Sequence, residues 1–339
     1  MFRPSPIFNT DYYYPADQVK LVYSGEDYFE KLIELIRSAN SIIHFQTYIF
    51  DDDATGIQIA TELKKAAAKG VKVYLLIDAF GSKELPHSVI HDLNKNGVYA
   101  RLFAPFFSKN TINLGRRMHH KIVMADNNTA LVGGINISDK YRGTPSQPAW
   151  LDYAILVKGN VCEKASKICL AILNRTFPII PKPIRKKNSN HYAHVRFRQN
   201  DSLRGKRQIT RGYLKAINNA KTSIIFVSSY FLPGRRILRA LKRMARKGVQ
   251  ISIILSAKSD VPLLGKATAH LYVSLMKEGI YIYEWQNSVL HGKIAMVDQH
   301  WVTVGSFNLN YLSALSSIEL NVEVIASSIT SELQKHIEA

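Results

Sequence analysis

The stretch RRMHHKIVMADNNTALVGGIN, residues 116 to 136, decides how this chain is read. Two short apolar runs flank the polar turn DNN, which predicts a strand hairpin, yet its first strand is approached by two histidines, a lysine and two arginines. Successive side chains on a strand alternate faces, so His119 and Lys121 point the same way and present an imidazole and an ammonium together. Asp126 follows His119 by seven residues, an odd offset that sends it to the opposite face or into the turn, as a supporting carboxylate and not a nucleophile. The returning strand ends in GGIN, where small residues leave room beside that face and Asn136 can offer amide N–H groups.

The stretch has a twin. LHGKIAMVDQHWVTVGSFN, residues 290 to 308, repeats the spacing with His291, Lys293, Asp298, Ser306 and Asn308. A lone His-x-Lys reads as a surface strand with its charges in water, but here His-x-Lys-x4-Asp-x6-Gly-[Gly/Ser]-x-Asn occurs twice in register. The flanks match as well. IRSANSIIHFQTYIF (36 to 50) parallels INNAKTSIIFVSSYFL (217 to 232), and IATELKKAAAKGVKVYLLID (59 to 78) parallels ILRALKRMARKGVQISIILS (237 to 256). The latter pair are amphipathic helices closed by Gly70 and Gly248 and followed by buried strands.

The order strand, helix, strand, helix and hairpin, written twice, predicts an α/β protein of two pseudo-symmetric lobes, each a mixed β-sheet flanked by helices. The expected organisation is an amino-terminal arm (1–18), a first half (19–174), a basic linker (175–210) and a second half (211–339). The linker carries Arg185, Lys186, Lys187, Arg204, Lys206 and Arg207, and reads either as a solvated connector or as a surface for an anionic membrane. The arm, with Phe2, Phe8 and Tyr12 to Tyr14, is expected to pack on its own domain, with anchoring at a lipid interface as the alternative.

At 339 residues and 46% hydrophobic composition the chain can bury a substantial core unaided. It shows no run approaching the roughly eighteen apolar residues of a membrane span and no secretory signal, so a cytoplasmic location is expected. Cys162 and Cys169, seven apart, fall on one helical face and read as core residues. The balance of 45 Lys+Arg against 26 Asp+Glu, a net +19, points to a polyanionic partner, nucleic acid or an anionic membrane, without choosing between them.

Two such halves face to face would bring two histidines, two lysines and two asparagines to one pocket suited to a phosphodiester. Fixed ammonium and amide donors stabilise charge spread over its non-bridging oxygens, one neutral imidazole attacks, and the other, protonated, serves the leaving alkoxide. No metal or cofactor is called for, because the lysines supply the cations, and one monomer suffices for a complete site.

The doubled pattern resembles the phospholipase D superfamily, from about Val19 to Glu323, and within it the bacterial cardiolipin synthases. QTYIFDDDATG (46 to 56), KGVKVYLLIDAFGS (69 to 82), WLDYAILVKG (150 to 159), SSYFLPG (228 to 234) and LNVEV (320 to 324) carry the resemblance. It implies a bilobal fold with the motifs meeting at the lobe interface, a phosphohistidine intermediate, His119 as nucleophile and His291 as general acid. It also implies downstream carboxylates that hold the imidazoles; Asp152, 33 residues after His119, and Glu323, 32 after His291, have matched offsets. Many cardiolipin synthases begin with membrane-spanning helices, which this sequence does not show, so peripheral contact at the inner face of the cell membrane is expected. The reading is therefore a phosphatidyltransferase acting on anionic phospholipid, with an alcohol acceptor such as phosphatidylglycerol. Hydrolysis to phosphatidic acid and a metal-independent nuclease are the alternatives.

Overall fold

The computed structural model describes residues 13–105, 107–108, 111–112, 116–173, 193–201, 204–258, 261–310 and 317–338. After β1 (Tyr14–Ala16) the first lobe opens with β2 (Gln18–Tyr23), α1 (Glu26–Ser38), β3 (Ile42–Thr47), α2 (Ala54–Ala68), β4 (Lys72–Asp78), α3 (His87–Lys95) and β5 (Val98–Phe103). Helix α1 buries Tyr28, Phe29, Leu32, Ile33, Leu35 and Ile36, the spacing of a single apolar face, while Asp53 caps α2 by accepting from Gly56 N at 2.9 Å. The short strands β6 (Phe107–Ser108), β7 (Thr111–Ile112) and β8 (Arg117–Met118) lead to the hairpin β9 (Ile122–Ala125) and β10 (Thr129–Gly133), followed by α4 (Asp139–Arg142), β11 (Tyr153–Lys158) and α5 (Cys162–Leu173). Cys162 and Cys169 are both buried in the core through α5.

The second lobe repeats this order with β12 (Ala193–Asp201), β13 (Lys206–Arg207), α6 (Gln208–Asn219), β14 (Ser223–Ser228), β15 (Phe231–Leu232), α7 (Arg235–Arg246) and β16 (Gln250–Ser256). Then come α8 (Pro262–Ala269), α9 (Tyr272–Met276), β17 (Tyr281–Trp285), the hairpin β18 (Lys293–Val297) and β19 (Trp301–Gly305), β20 (Leu309–Asn310), β21 (Ser317–Ile325) and a closing helix Ser327–Glu338. The first sheet runs β2-β11-β10-β9-β3-β4-β5 and the second β12-β21-β19-β18-β14-β16-β17, the same order strand for strand. β3, β4 and β5 are parallel because helices return the chain, as are β14, β16 and β17, whereas the hairpin strands beside them are antiparallel. Ile122, Met124, Val132 and Ile155 of the first sheet share one core with Val227, Ile294, Val302 and Val322 of the second, so the sheets pack face to face.

Part of the stretch read as a basic linker is instead strand. Residues 193–201 form β12 between β1 and β21, with Val195 and Phe197 buried and His194 and Arg196 half-buried, a period-two pattern that the basic residues obscured in the sequence. The second lobe thus begins at β12, the counterpart of β2. The end of the amino-terminal arm belongs to the same sheet, since β1 pairs with β12. Phe2, Phe8, Tyr12, Arg185, Lys186 and Lys187 lie outside the described residues.

Candidate active site

Each histidine is delivered by a strand end that crosses to the opposite lobe. β8 pairs in parallel with the start of β21, His119 N donates to Ile318 O at 2.9 Å, and the next residue, Glu319, places Oε2 at 3.0 Å from His119 Nδ1. The second motif mirrors this: Leu151 bridges to Leu290, His291 N donates to Leu151 O at 2.7 Å, and Asp152 Oδ2 stands 2.6 Å from His291 Nδ1. Each imidazole is therefore held by a carboxylate from the other half. Because His119 Nδ1 also lies 3.0 Å from Ser306 O, a carbonyl that can only accept, Nδ1 carries the proton and Nε2 the lone pair.

Asp152 was expected to contact an imidazole, and it does so across the interface. Glu323 does not. It lies four residues beyond Glu319 on β21, paired with Arg198 and accepting from Tyr13 OH at 2.7 Å. The equal sequence offsets misled, because equivalence follows the backbone: Gly134 N donates to Tyr153 O and Ser306 N to Leu320 O, each acceptor being the residue after the true carboxylate. Glu319 is 28 residues from His291, five fewer than the 33 between His119 and Asp152, so the second connection is shorter. Glu319, Asn321 and Glu323 share one face of the strand, and alternation alone cannot choose between the two acids.

Both lysines are almost wholly buried beside the histidines. Lys121 Nζ donates to His119 O at 3.0 Å and lies 4.9 Å from the Tyr48 ring, and Lys293 Nζ donates to His291 O with Asp152 Oδ2 at 3.6 Å. Asn136 Nδ2 donates to Tyr141 OH at 2.7 Å, and that hydroxyl is 3.4 Å from His291 Nε2. Asn308 Oδ1 is buried without a hydrogen-bond partner among the described residues. Ser306 Oγ donates to Glu319 Oε2 at 2.5 Å. Gly134 is required for space, since a Cβ there would stand 2.3 Å from Asp152 Oδ1.

Asp126 and Asp298 sit in the hairpin turns, away from this cluster. They accept backbone N–H groups of Asn40, Ser41 and Ile42 and of Lys221, Thr222 and Ser223, pinning each hairpin to the start of β3 or β14. Of the basic residues in the supposed linker, Arg204 lies 3.8 Å from Asp201, Lys206 donates to Gln199 at 2.9 Å, and Arg207 is exposed.

His119, His291, Asn136 and Asn308 line one cavity of about 640 Å³. Its other walls include Tyr48, Tyr141, Trp150 and Tyr230, the cations Arg117 and Lys140, and aliphatic Val261 and Leu264. Burial, aided by Lys121, Lys293 and His291, holds the His119 imidazole well below its ordinary value and therefore neutral. Burial likewise lowers Lys121 to about 7 against the pull of Glu319, and raises Glu319 to about 8 against that of Lys121. Asp78, also raised by burial, fixes the motif by accepting Met118 N at 2.7 Å. Among the described residues no three His, Cys, Asp or Glu side chains are grouped as metal ligands. Sequence reasoning missed Glu319, Tyr141, Arg117 and Lys140. Glu319, as an acid on an alternating strand, and Arg117, as one of the two arginines before the first motif, left a trace there.

Two lobes of one pattern, joined at a pocket lined by paired imidazoles and asparagines with a buried lysine beside each histidine, define a phosphodiester-processing enzyme of phospholipase D type. A family model described as "Cardiolipin synthase, PLD-like domain" matches residues 32–144 and 213–339, and the chain belongs to this family. It is 34% identical over 322 residues to cardiolipin synthase B of Salmonella typhimurium, covering 91% of this chain and 76% of the relative. Cardiolipin synthase B of Escherichia coli K12 is 33% identical over the same shares. The fold matches a crystal structure of phosphatidylserine synthase from Haemophilus influenzae with a TM-score of 0.74 at 14% identity, covering 97% of this chain and 87% of that one. The protein is thus a phospholipase D-type phosphatidyltransferase, cardiolipin synthase-like.

Proposed function

We propose that the protein transfers a phosphatidyl group between two phosphatidylglycerol molecules in two steps through His119. His119 Nε2 attacks phosphorus, the P–O bond to the departing glycerol breaks, and His291 gives that alkoxide its proton. The acceptor hydroxyl then loses its proton to His291, its oxygen attacks phosphorus, and the P–N bond breaks, leaving cardiolipin and resting enzyme. Lys121, Lys293, Asn136 and Asn308 stabilise the charge on the non-bridging oxygens, while Asp152 and Glu319 orient the imidazoles. The observation that carries this reading is the Ser306 carbonyl on His119 Nδ1, which leaves Nε2 unprotonated for attack.

The substrates lie in a bilayer that the protein meets peripherally, from the cytoplasm at its inner face. Supporting this are the net charge of +19 and the finding that no helix among the described residues is long and apolar enough to cross a membrane. One chain completes the site. The test is purified protein in EDTA with phosphatidylglycerol vesicles and, separately, with DNA. Cardiolipin with released glycerol is expected. Phosphatidic acid alone would replace transfer by hydrolysis, and shortened DNA with untouched lipid would overturn the reading.

A further inference from the structure

Ten large apolar side chains stand exposed among the described residues, and four of them, Val261, Leu263, Val273 and Met276, fall within residues 261–276. Leu263 is 77% exposed, Val273 63% and Met276 59%. Stretches this short seldom concentrate so much apolar surface without something to cover it. The arrangement follows from two short helices with opposed faces. On α8, Leu264 and Thr268 turn inward, Thr268 Oγ1 accepting Phe231 N at 3.4 Å and Leu264 lining the catalytic cavity, which leaves Leu263 and Ala267, also i and i+4, outside. On α9, Leu275 is buried, while Val273 and Met276, i and i+3, share the outer face.

The pseudo-symmetric partner of this segment is an internal control. Between β4 and β5 the first lobe places α3, whose exposed positions are His87, Ser88, His91, Asp92, Asn94 and Lys95, all polar. The same topological position is therefore wetted in one lobe and apolar in the other. The surroundings identify the partner. Exposed Lys258, Lys266 and Lys277 stand along the apolar segment, and from 258 to 277 the sequence holds only one acid, Asp260. Val261 lines the mouth of the catalytic cavity itself, so whatever covers the outer face is continuous with the route to the histidines.

We propose that α8 and α9 form the membrane-docking face, inserting Leu263, Val273 and Met276 into an anionic phospholipid surface and opening the catalytic cavity onto it. The inference rests on the phospholipid reading of the site. A basic amphipathic segment lying in the headgroup region gains from apolar burial and from lysine attraction to anionic lipid together. It moves the membrane contact from the basic stretch 175–210 to the second lobe's rim.

The test uses Leu263→Asp and Val273→Asp, singly and combined, in the full chain. Two readouts are needed: sedimentation with phosphatidylglycerol–phosphatidylcholine vesicles, and turnover of short-chain phosphatidylglycerol below its micelle threshold. Each variant is expected to partition about tenfold less onto vesicles, while soluble-substrate turnover stays at the wild-type rate. A Leu263→Trp variant should be quenched by brominated lipid. Undiminished vesicle binding by the double Asp variant overturns the proposal. So does a wild-type dimer, seen by sedimentation velocity, that the Asp variants make monomeric, because the face would then be covered by a second copy. Wild-type inactivity on the soluble lipid would count against the phospholipid reading alone, since vesicle partition is measured separately.

Discussion

Replacing Glu319 or Glu323 by glutamine distinguishes a carboxylate that positions His119 from one that only holds the fold. Glu319 Oε2 is 3.0 Å from His119 Nδ1 and also accepts Ser306 Oγ. In Glu319→Gln the Ser306 carbonyl still accepts from Nδ1, but the carboxyl oxygen that fixes the ring from a second direction is gone. Turnover should fall on the order of 10²-fold, about 2.7 kcal/mol of barrier at roughly 1.36 kcal/mol per factor of ten. Stability should move the other way. Burial raises this carboxyl from 4.5 to about 8, so the folded state binds its proton more tightly than the unfolded chain, and that contribution is lost as pH rises from 4.5 to about 8. The amide carries no such titration, so the urea midpoint of Glu319→Gln should equal or exceed that of the wild type at pH 8. Glu323→Gln reverses the pattern: it leaves the Arg198 guanidinium buried without its counter-charge, costing about 3 kcal/mol, and the folded variant should turn over normally. The assays are kcat on short-chain phosphatidylglycerol and urea denaturation at pH 8. Wild-type turnover in Glu319→Gln, or a catalytic loss in Glu323→Gln at unchanged stability, would refute the assignment.

Asp152→Asn should lower kcat roughly 10²-fold or more without unfolding the protein, because His291 loses the acceptor 2.6 Å from Nδ1, and mass spectrometry should then find a phosphatidyl adduct on His119 accumulating. Gly134→Ala should lower kcat through the same carboxylate, since its methyl carbon would stand 2.3 Å from Asp152 Oδ1, whereas Ser306→Ala should be milder, removing only one hydrogen bond to Glu319. The kcat/KM profile should hold on the acid side below the usual imidazole range, because His119 is depressed, and fall as pH climbs through about 7, where free Lys121 loses its charge. Lys121→Arg should move that alkaline limb upward, as a guanidinium does not titrate there; a flat wild-type profile to pH 9 would contradict the role of Lys121.

Repetition made the fold legible. Two hairpins with the same matched flanks cannot be accounted for by chance composition, and the two sheets indeed share one order of seven strands. Alternation placed each histidine beside its lysine, because period two is a local property of strands. What escaped was nonlocal. Nothing in the sequence reports that β8 crosses to β21 or that Leu151 meets Leu290, and those crossings decide which carboxylate each imidazole meets. Glu323 was chosen on sequence distance, a quantity that a connection shorter by five residues falsifies without disturbing the strand. β12 was hidden for a different reason: its alternation is written in arginine and histidine against valine and phenylalanine, and buried arginine is legible only once Glu323 is seen beside Arg198.

The same pseudo-symmetry that builds the site would, if perfect, defeat the proposed chemistry, since one imidazole must enter neutral and the other charged. The scaffold is symmetric where it holds the rings and asymmetric in what surrounds them. A carbonyl and a carboxyl share His119 Nδ1, and burial disfavours the ionised form of that carboxyl, so little there stabilises an imidazolium. His291 meets the shorter Asp152, which also accepts its own chain's Tyr153 N at 2.7 Å and has Lys293 within 3.6 Å, and it faces the Tyr141 hydroxyl at Nε2. Asp152 thus meets His291 Nδ1 while fixed by a backbone N–H and flanked by Lys293, a different setting from the carbonyl and carboxyl that share His119 Nδ1. The exchange of glycine for serine, and of aspartate for glutamate, between two copies of one motif is thus where the two settings diverge, and it is the asymmetry that the proposed division of labour between His119 and His291 requires.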